Sequence, residues 1–259
     1  MREFEGKTAL ITGSSTEIGR ATALEFTKRD AYVAINCVSS VEKGEAVVKE
    51  IKEAKGQALL AVADVSEEDQ VISMVKQVVS ETGRIDYLVN CAGFAKQSSL
   101  FELSVDAFEH TLRVNLIGTF LCIKHAALEM LKNKPDEHGI KGKIVNVASI
   151  SGLENCARKD LIDYSAAKAG VVNLTKSLAK ELTPQGIVIN AVAPAITRTE
   201  LVKNLTEEAR AKAVAGSLIK RMAEPEEIAA GIIFLFSPAI NYMTGEVLVI
   251  DAGYNLTQL

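Results

Sequence analysis

The sequence has no cluster of lysine and arginine, and its formal net charge at pH 7 is -4 over 259 residues. A surface that neutralises a phosphate backbone needs concentrated positive charge, so the balance argues against a nucleic-acid partner. Long apolar runs are missing too. The longest, near Ala229 to Phe236, is far too short to cross a bilayer, and the first residues, Met1-Arg2-Glu3-Phe4-Glu5-Gly6-Lys7, are charged where a secretion signal needs an apolar stretch. A soluble, cytoplasmic protein without a membrane partner is expected. The four cysteines, Cys37, Cys91, Cys122 and Cys156, are far apart with no C-x-x-C pair, which points away from a disulfide framework and a zinc site. They read as buried free thiols. His110, His125 and His138 lack H-E-x-x-H or related spacing, so no metal site is expected, and they read as ordinary structural or surface histidines. Linkers, repeats and low-complexity tracts are absent as well, and one domain is expected over residues 1–259.

The chain is 48% hydrophobic and 24% charged, enough for one large core. Short β-rich apolar runs alternate with longer amphipathic ones throughout. Strands are expected at Thr8 to Thr12, Tyr32 to Asn36, Ala58 to Val62, Tyr87 to Asn90, Lys143 to Val147, Ile187 to Val192 and Val247 to Ile250. Helices are expected at Ile18 to Lys28, Val41 to Ala54, Glu67 to Glu81, Val105 to Leu131, Tyr164 to Leu182 and Pro225 to Phe236. Such alternation means parallel strands with right-handed crossovers: an α/β, Rossmann-type, doubly wound sheet of about seven strands with helices on both faces. Ligands bind such sheets at the carboxyl ends of the strands. Residues 195–218, with a helical excursion from Thr199 to Leu218, are expected to form a substrate lid.

Two stretches carry chemistry. In Asp163-Tyr164-Ser165-Ala166-Ala167-Lys168, Tyr164 and Lys168 stand four residues apart on one helical face, separated by about 6 Å of axial rise. An ammonium beside a phenol favours the phenolate and lowers a pKa that starts near about 10, which suits proton transfer at neutral pH. Upstream, the first strand runs into Thr12-Gly13-Ser14-Ser15-Thr16-Glu17-Ile18-Gly19 and then a helix. A dinucleotide pyrophosphate lies on such a helix N-terminus, where glycines allow the backbone close to phosphate.

With these two stretches in place, the whole chain resembles the classical short-chain dehydrogenase/reductase family. The family's T-G-x-x-x-G-x-G turn is matched by Thr12, Gly13 and Gly19, with Ser15 and Ile18 also facing the cofactor, and is broken at its middle glycine, here Glu17. A carboxylate there repels a pyrophosphate unless it turns to solvent, and its Cβ crowds the approach, so weakened or altered cofactor binding is expected. The resemblance puts Asn36 at the ribose position that is acidic in many NAD enzymes. Without that acid, and with Ser39 and Ser40 following, the site leans toward NADP(H) over NAD(H). Asp64 and Val65 match the adenine-contacting pair, although an aspartate there also caps a helix. Asn90, Ala92 and Gly93 match the family's N-N-A-G turn, with Asn90 steadying the sheet. Thr199 takes the nicotinamide-carboxamide position, and Thr197 lies beside it against the cofactor. Ala195 and Ala252 stand where the family has glycine, replacements that cost little wherever φ is negative.

The resemblance further implies a catalytic set. Tyr164 donates the proton to a carbonyl oxygen, and Ser149 positions that oxygen. Lys168 lowers the tyrosine pKa and bonds the nicotinamide ribose. Asn115 opens its helix locally and holds a water that leads to solvent. Ser149 and Tyr164 are separated by more than the commonest family spacing, so the loop with Cys156, Arg158, Lys159 and Asp160 is extended and shapes substrate access. The expected activity is hydride transfer between a nicotinamide and a small secondary alcohol or ketone, of carbonyl-reductase or sugar/polyol-dehydrogenase type. Reduction of 3-oxoacyl thioesters on a carrier protein ranks second, because a position often basic in such reductases is Gln185 here. A non-catalytic nucleotide-binding regulator is the reading of another class, motivated by Glu17 and opposed by the complete catalytic set; a methyltransferase would not need the Tyr164/Lys168 pair. A homo-oligomer, tetramer or dimer, is expected, with small and apolar residues such as Ala166, Ala169 and Val172 on the helices that would meet another subunit.

Overall fold

Seven runs rich in aliphatic and β-branched residues form the strands, buried in the middle of the sheet and only partly so at its edges β3 and β7: β1 (Thr8–Thr12), β2 (Tyr32–Cys37), β3 (Gln57–Val62), β4 (Tyr87–Asn90), β5 (Gly142–Val147), β6 (Ile187–Pro194) and β7 (Val247–Ile250). The structure, a computed structural model, describes residues 2–154, 156–203 and 207–257. All seven strands lie in one sheet in the order β3-β2-β1-β4-β5-β6-β7, every pairing parallel. The expected α/β doubly wound sheet is observed.

Successive residues supply opposite faces. Leu10, Leu88 and Ile144 enter one core layer, and their neighbours Ile11, Val89 and Val145 enter the other. That is the period of two, buried on both sides as parallel sheets require. The helices are α1 (Glu17–Thr27), α2 (Val41–Glu53), α3 (Glu68–Thr82), α4 (Val105–Leu112), α5 (Gly118–Met130), α6 (Ile162–Leu182), α7 (Glu200–Lys203), α8 (Glu207–Gly216) and α9 (Pro225–Phe236). Beneath α1 and α9, the rings of Phe4, Phe26, Tyr87 and Phe236 pack with centroids 5.1–5.7 Å apart.

Two elements depart from expectation. The helix expected from Val105 to Leu131 is interrupted by a π-helical turn at Arg113–Ile117 centred on Asn115. The Asn115 amide donates to Thr111 O at 3.1 Å and to Phe94 O at 3.0 Å, and this competition with the helical ladder opens the turn. Strand β6 runs to Pro194, two residues past the expected end, because Ala193 and Pro194 still pair with Val249 and Ile250. Of the expected lid, residues 204–206 lie outside the described residues, as does Asn155 in the loop before α6. Among the described residues no helix is long and apolar enough to cross a membrane, and no side-chain group could hold a metal ion.

The strand order reverses between β1 and β4, which opens a crevice at their carboxyl ends. A polar row closes the sheet beneath it. Thr12, Asn90 and Asn146 are register partners on β1, β4 and β5. Asn90 Nδ2 donates to Asn146 Oδ1 at 2.9 Å, and Asn146 Nδ2 donates to the Thr175 hydroxyl on α6 at 2.9 Å.

Candidate active site

Above that row lies a cavity of about 720 Å³, reaching from the β1–α1 turn past the end of β2 to the start of α6. Its phosphate end is built by close backbone approach. Gly13 has φ 61°, and a Cβ on it would come within 2.7 Å of Ala92 Cα; one on Gly19 would lie 2.4 Å from Gly13 O. Only hydrogen fits at either place, so the first turn of α1 rests directly on the glycine turn with its N–H groups toward the cavity.

Thr12 and Asn36, expected to touch the cofactor, are held in scaffold bonds, and Asn90 steadies the sheet as expected. The Thr12 hydroxyl, 1% exposed, accepts the N–H groups of Cys91 and Ala92 at 3.1 Å and does not line the cavity. Asn90 is likewise spent on the polar row below the floor and lies outside the lining. Asn36 reaches the lining but is 1% exposed: its Oδ1 accepts from Gly13 N at 3.2 Å, and its Nδ2 donates to Ala61 O and Ala63 O at 3.1 and 3.0 Å. Both amide hydrogens are committed to these carbonyls, which leaves Asn36 no donor for a ribose. The wall beyond it belongs to Cys37, Val38, Ser39 and Ser40. Ser15, Ile18, Asp64, Val65, Ala92, Gly93, Thr197 and Thr199 all line the cavity. One Asp64 oxygen accepts both the N–H and the hydroxyl of Ser66, so the aspartate also caps its turn.

At the other end the structure brings Asn115, Ser149, Tyr164 and Lys168 together. Ser149, two residues past β5, is extended and caps a short 3₁₀ turn, its Oγ accepting Ser151 N at 3.1 Å. That turn sits on the backbone of α6, since a Cβ on Gly152 would lie 2.4 Å from Lys168 C and 2.6 Å from Ala169 N. Ser149 and Tyr164 share a side-chain hydrogen bond. Lys168 is 4% exposed; its Nζ donates to Val147 O at 2.7 Å and lies 5.5 Å from the Tyr164 ring centre. Asn115 Oδ1 is buried without a partner among the described residues and faces Gly93, as does Lys168 Nζ. Replacing Gly152 by Ala is expected to lower kcat about tenfold or more by pushing Ser149 off Tyr164, with substrate KM little changed. Steady-state kinetics check this, and unchanged kcat would contradict it.

The electrostatics correct one expectation. Burial pushes the Tyr164 phenol up to about 12, with the Ser149 hydrogen bond working against the rise, and burial pushes Lys168 down to about 8. Both groups line the cavity, and for each the loss of water is the largest effect. Lys168 therefore does not bring the phenol toward neutrality in the cofactor-free chain.

Several lining residues gave no sequence signal. His110, expected to be an ordinary structural or surface histidine, lines the cavity with its ring tilted against that of Phe94, centroids 5.1 Å apart. Cys91 and Tyr254 line it too. Arg158, in the extended loop, is held at the lip by Asp160 through Nε and Nη2, at 3.1 and 2.9 Å. Ala252 has φ 52°, so this replacement for glycine sits in the left-handed region and is strained, contrary to expectation. Ala195 is not in that region.

Glu17 has φ 54° and lines the phosphate end, and its Oε1 accepts the backbone N–H of Glu200 at the start of α7. The glycine cradle, the helix N-terminus and the unpartnered Asn115 Oδ1 fit a nicotinamide dinucleotide. Glu17 is the carboxylate at the phosphate end, and its charge opposes a diphosphate there.

A family model described as enoyl-(acyl carrier protein) reductase matches residues 13–255. The chain is 36% identical over 254 residues to a 3-oxoacyl-[acyl-carrier-protein] reductase of Synechocystis, covering 98% of each protein. It is 37% identical over 250 residues to one from Thermotoga maritima, covering 96% of this chain and 98% of the relative. Among solved structures, a short-chain type dehydrogenase/reductase from Mycobacterium marinum superposes with TM-score 0.90 at 36% identity, covering 97% of this chain and 96% of that one.

Proposed function

This chain belongs to the short-chain dehydrogenase/reductase family and is an oxidoreductase, and from that premise we propose that it reduces 3-oxoacyl thioesters presented by an acyl carrier protein, using NADPH. The observation that carries this reading is the near full-length similarity, at 36–37% identity, to reductases of that name. It displaces the carbonyl-reductase or sugar/polyol-dehydrogenase reading that the sequence ranked first. Gln185, the reason for that ranking, is occupied locally: its Nε2 donates to Glu181 O at 3.0 Å at the end of α6. A basic docking surface need not include it.

The turn from Gly13 to Gly19, with Ser15 and Ile18, would hold the diphosphate. Asp64, Val65, Ala92 and Gly93 would flank the adenosine half, and Thr197 and Thr199 the nicotinamide. NADPH is favoured because the wall after β2 carries Cys37, Val38, Ser39 and Ser40 and no carboxylate to repel a 2′-phosphate. When bound, the cofactor supplies the hydride.

The rest of the chemistry belongs to the chain. Ser149 and Tyr164 stand side by side in the cavity lining, and with substrate bound each would turn its one O–H from the other to the 3-oxo oxygen. Tyr164, fully protonated at neutral pH, gives its proton to that oxygen as negative charge gathers there. The resulting phenolate gains the nearby Lys168 ammonium, which counts for more once the phenol carries charge. Asn115 places an unpaired carbonyl oxygen beside Gly93 and Lys168, where a water can bridge to solvent and return the proton.

Turnover with NADPH on a 3-oxoacyl thioester, free ketones and sugars tests the substrate class. The thioester is expected to exceed the others in kcat/KM by on the order of a hundredfold. Equal or better turnover of a sugar or polyol would overturn the reading. We also infer self-association. Ile117, Phe120 and Leu128 stand exposed along one flank running into α5, an apolar face of the kind subunit contacts cover. A light-scattering mass of 27.8 kDa, that of one chain, would contradict it.

A further inference from the structure

Glu17 begins α1 in the left-handed region, where glycine sits freely and a side chain does not. The strain coincides with a specific long-range contact. Its Oε1 accepts the backbone N–H of Glu200, so the phosphate turn is tied to the segment that follows β6. The two sides of this tie are opposite walls of the same cavity end, with Ser15, Thr16 and Ile18 on one and Thr199 and Val202 on the other. Val202 is 6% exposed, so the tied segment is also packed down by its side chain. The carboxylate faces inward. Burial above all, aided by the Glu17 charge, pushes the thiol of Cys91 on the cavity floor up to about 12.

A helix N-terminus with its N–H groups free attracts one anion, and two anions there repel each other. In this chain Glu17 puts a carboxylate at the first residue of α1, beside the place a diphosphate would take. We propose that Glu17 is a latch that holds residues 200–203 at the phosphate end of the cavity in the cofactor-free chain, and that an incoming dinucleotide diphosphate displaces it and releases those residues, leaving Thr199 to the nicotinamide. The inference rests on the dinucleotide reading of the cavity and adds to it a coupling between nucleotide binding and access. Substrate reaches a cavity whose wall has been unfastened by the cofactor, so ordered binding, cofactor first, follows. Nucleotide affinity is correspondingly reduced, because part of the interaction is spent on breaking the tie and on separating like charges.

Amide hydrogen exchange at Glu200, read together with NADPH titrations of the wild type, Glu17→Gly and Glu17→Gln, tests the latch. In the wild type without cofactor the Glu200 amide is expected to be protected and to lose protection when NADPH is added. Glu17→Gly, which removes acceptor, charge and strain, should expose that amide without cofactor and bind NADPH on the order of tenfold more tightly. Glu17→Gln keeps a carbonyl acceptor and loses the charge. It should keep the Glu200 amide protected without cofactor yet bind NADPH more tightly than the wild type. Greater protection at Glu200 on adding NADPH, unchanged exchange in Glu17→Gly, or equal NADPH affinity in all three proteins would each overturn the latch while leaving the dinucleotide reading intact. If none of the three binds NADPH, the dinucleotide reading falls and the latch with it.

Discussion

Replacing Tyr164 with Phe is expected to lower kcat by about 10²–10⁴-fold, the range a general acid contributes, while NADPH affinity stays within a few-fold of the wild type. The substitution removes one oxygen and leaves the ring where it packs. In the proposed mechanism that oxygen is the acid. Ser149 is the other hydroxyl at hand, and its Oγ is already engaged with Ser151 N and with Tyr164 itself. Because burial holds the phenol at about 12, Tyr164 stays protonated throughout the neutral and mildly alkaline range and is always loaded for reduction. The oxidative direction needs a phenolate to accept the substrate proton, so its rate should climb with pH where reduction does not. Retention of more than a tenth of wild-type kcat by Tyr164→Phe would remove the tyrosine from the proposed role.

Lys168→Met is expected to do two opposite things. Turnover should fall by about 10²-fold or more, since the ammonium that steadies the departing proton's phenolate is gone. Stability at pH 7 should rise. Lys168 titrates near 8 in the folded chain and near 10.5 when unfolded, so between those values the unfolded chain binds more protons and stability increases with pH. Below about pH 8 the whole burial cost is present, on the order of 3 kcal/mol. The hydrogen bond to Val147 O returns about 1 kcal/mol of it. Methionine fills a similar volume without a charge, so the variant should be more stable by about 2 kcal/mol at pH 7, and the difference should shrink as pH passes from about 8 toward 10.5. Lys143 is shifted the same way by burial, its Nζ donating to Phe236 O and Ser237 O, and because it is common to both proteins it cancels from the comparison. In the wild type, kcat/KM for reduction should decline above about pH 8 as Lys168 loses its proton. Chemical denaturation at pH 7 and pH 10 checks the stability sign, and a less stable variant at pH 7 would contradict it.

The sheet could be read from the chain because each strand obeys a local rule. Leu10 and Ile11 go to opposite layers, and the same alternation repeats in β4 and β5. The pair Tyr164 and Lys168 was equally legible, since four residues on a helix fix a shared face whatever surrounds it. Features set by distant chain were not. The break at Asn115 depends on Phe94 O, which the fold brings to it. The commitment of Asn36 depends on the carbonyls of Ala61 and Ala63, which only the β2–β3 pairing brings near. Backbone dihedrals are hidden in the same way: Ala195 and Ala252 look alike in sequence, yet only the second has a positive φ. The side chain of Glu17 was legible as an obstacle but not as a tie, because Glu200 is 183 positions away. The sign of the Tyr164 shift was misjudged for a related reason. Charge proximity can be read from spacing, whereas burial, here the larger effect, cannot.

The most direct test of the account is whether the wild-type protein binds NADPH and oxidises it when a 3-oxoacyl thioester is added at neutral pH. Saturable binding followed by NADPH loss matched one for one by 3-hydroxyacyl thioester is the expected result. Saturable binding with no oxidation on any carbonyl substrate would contradict it, and would mean that the assembled Ser149, Tyr164 and Lys168 do not form a working proton-delivery site.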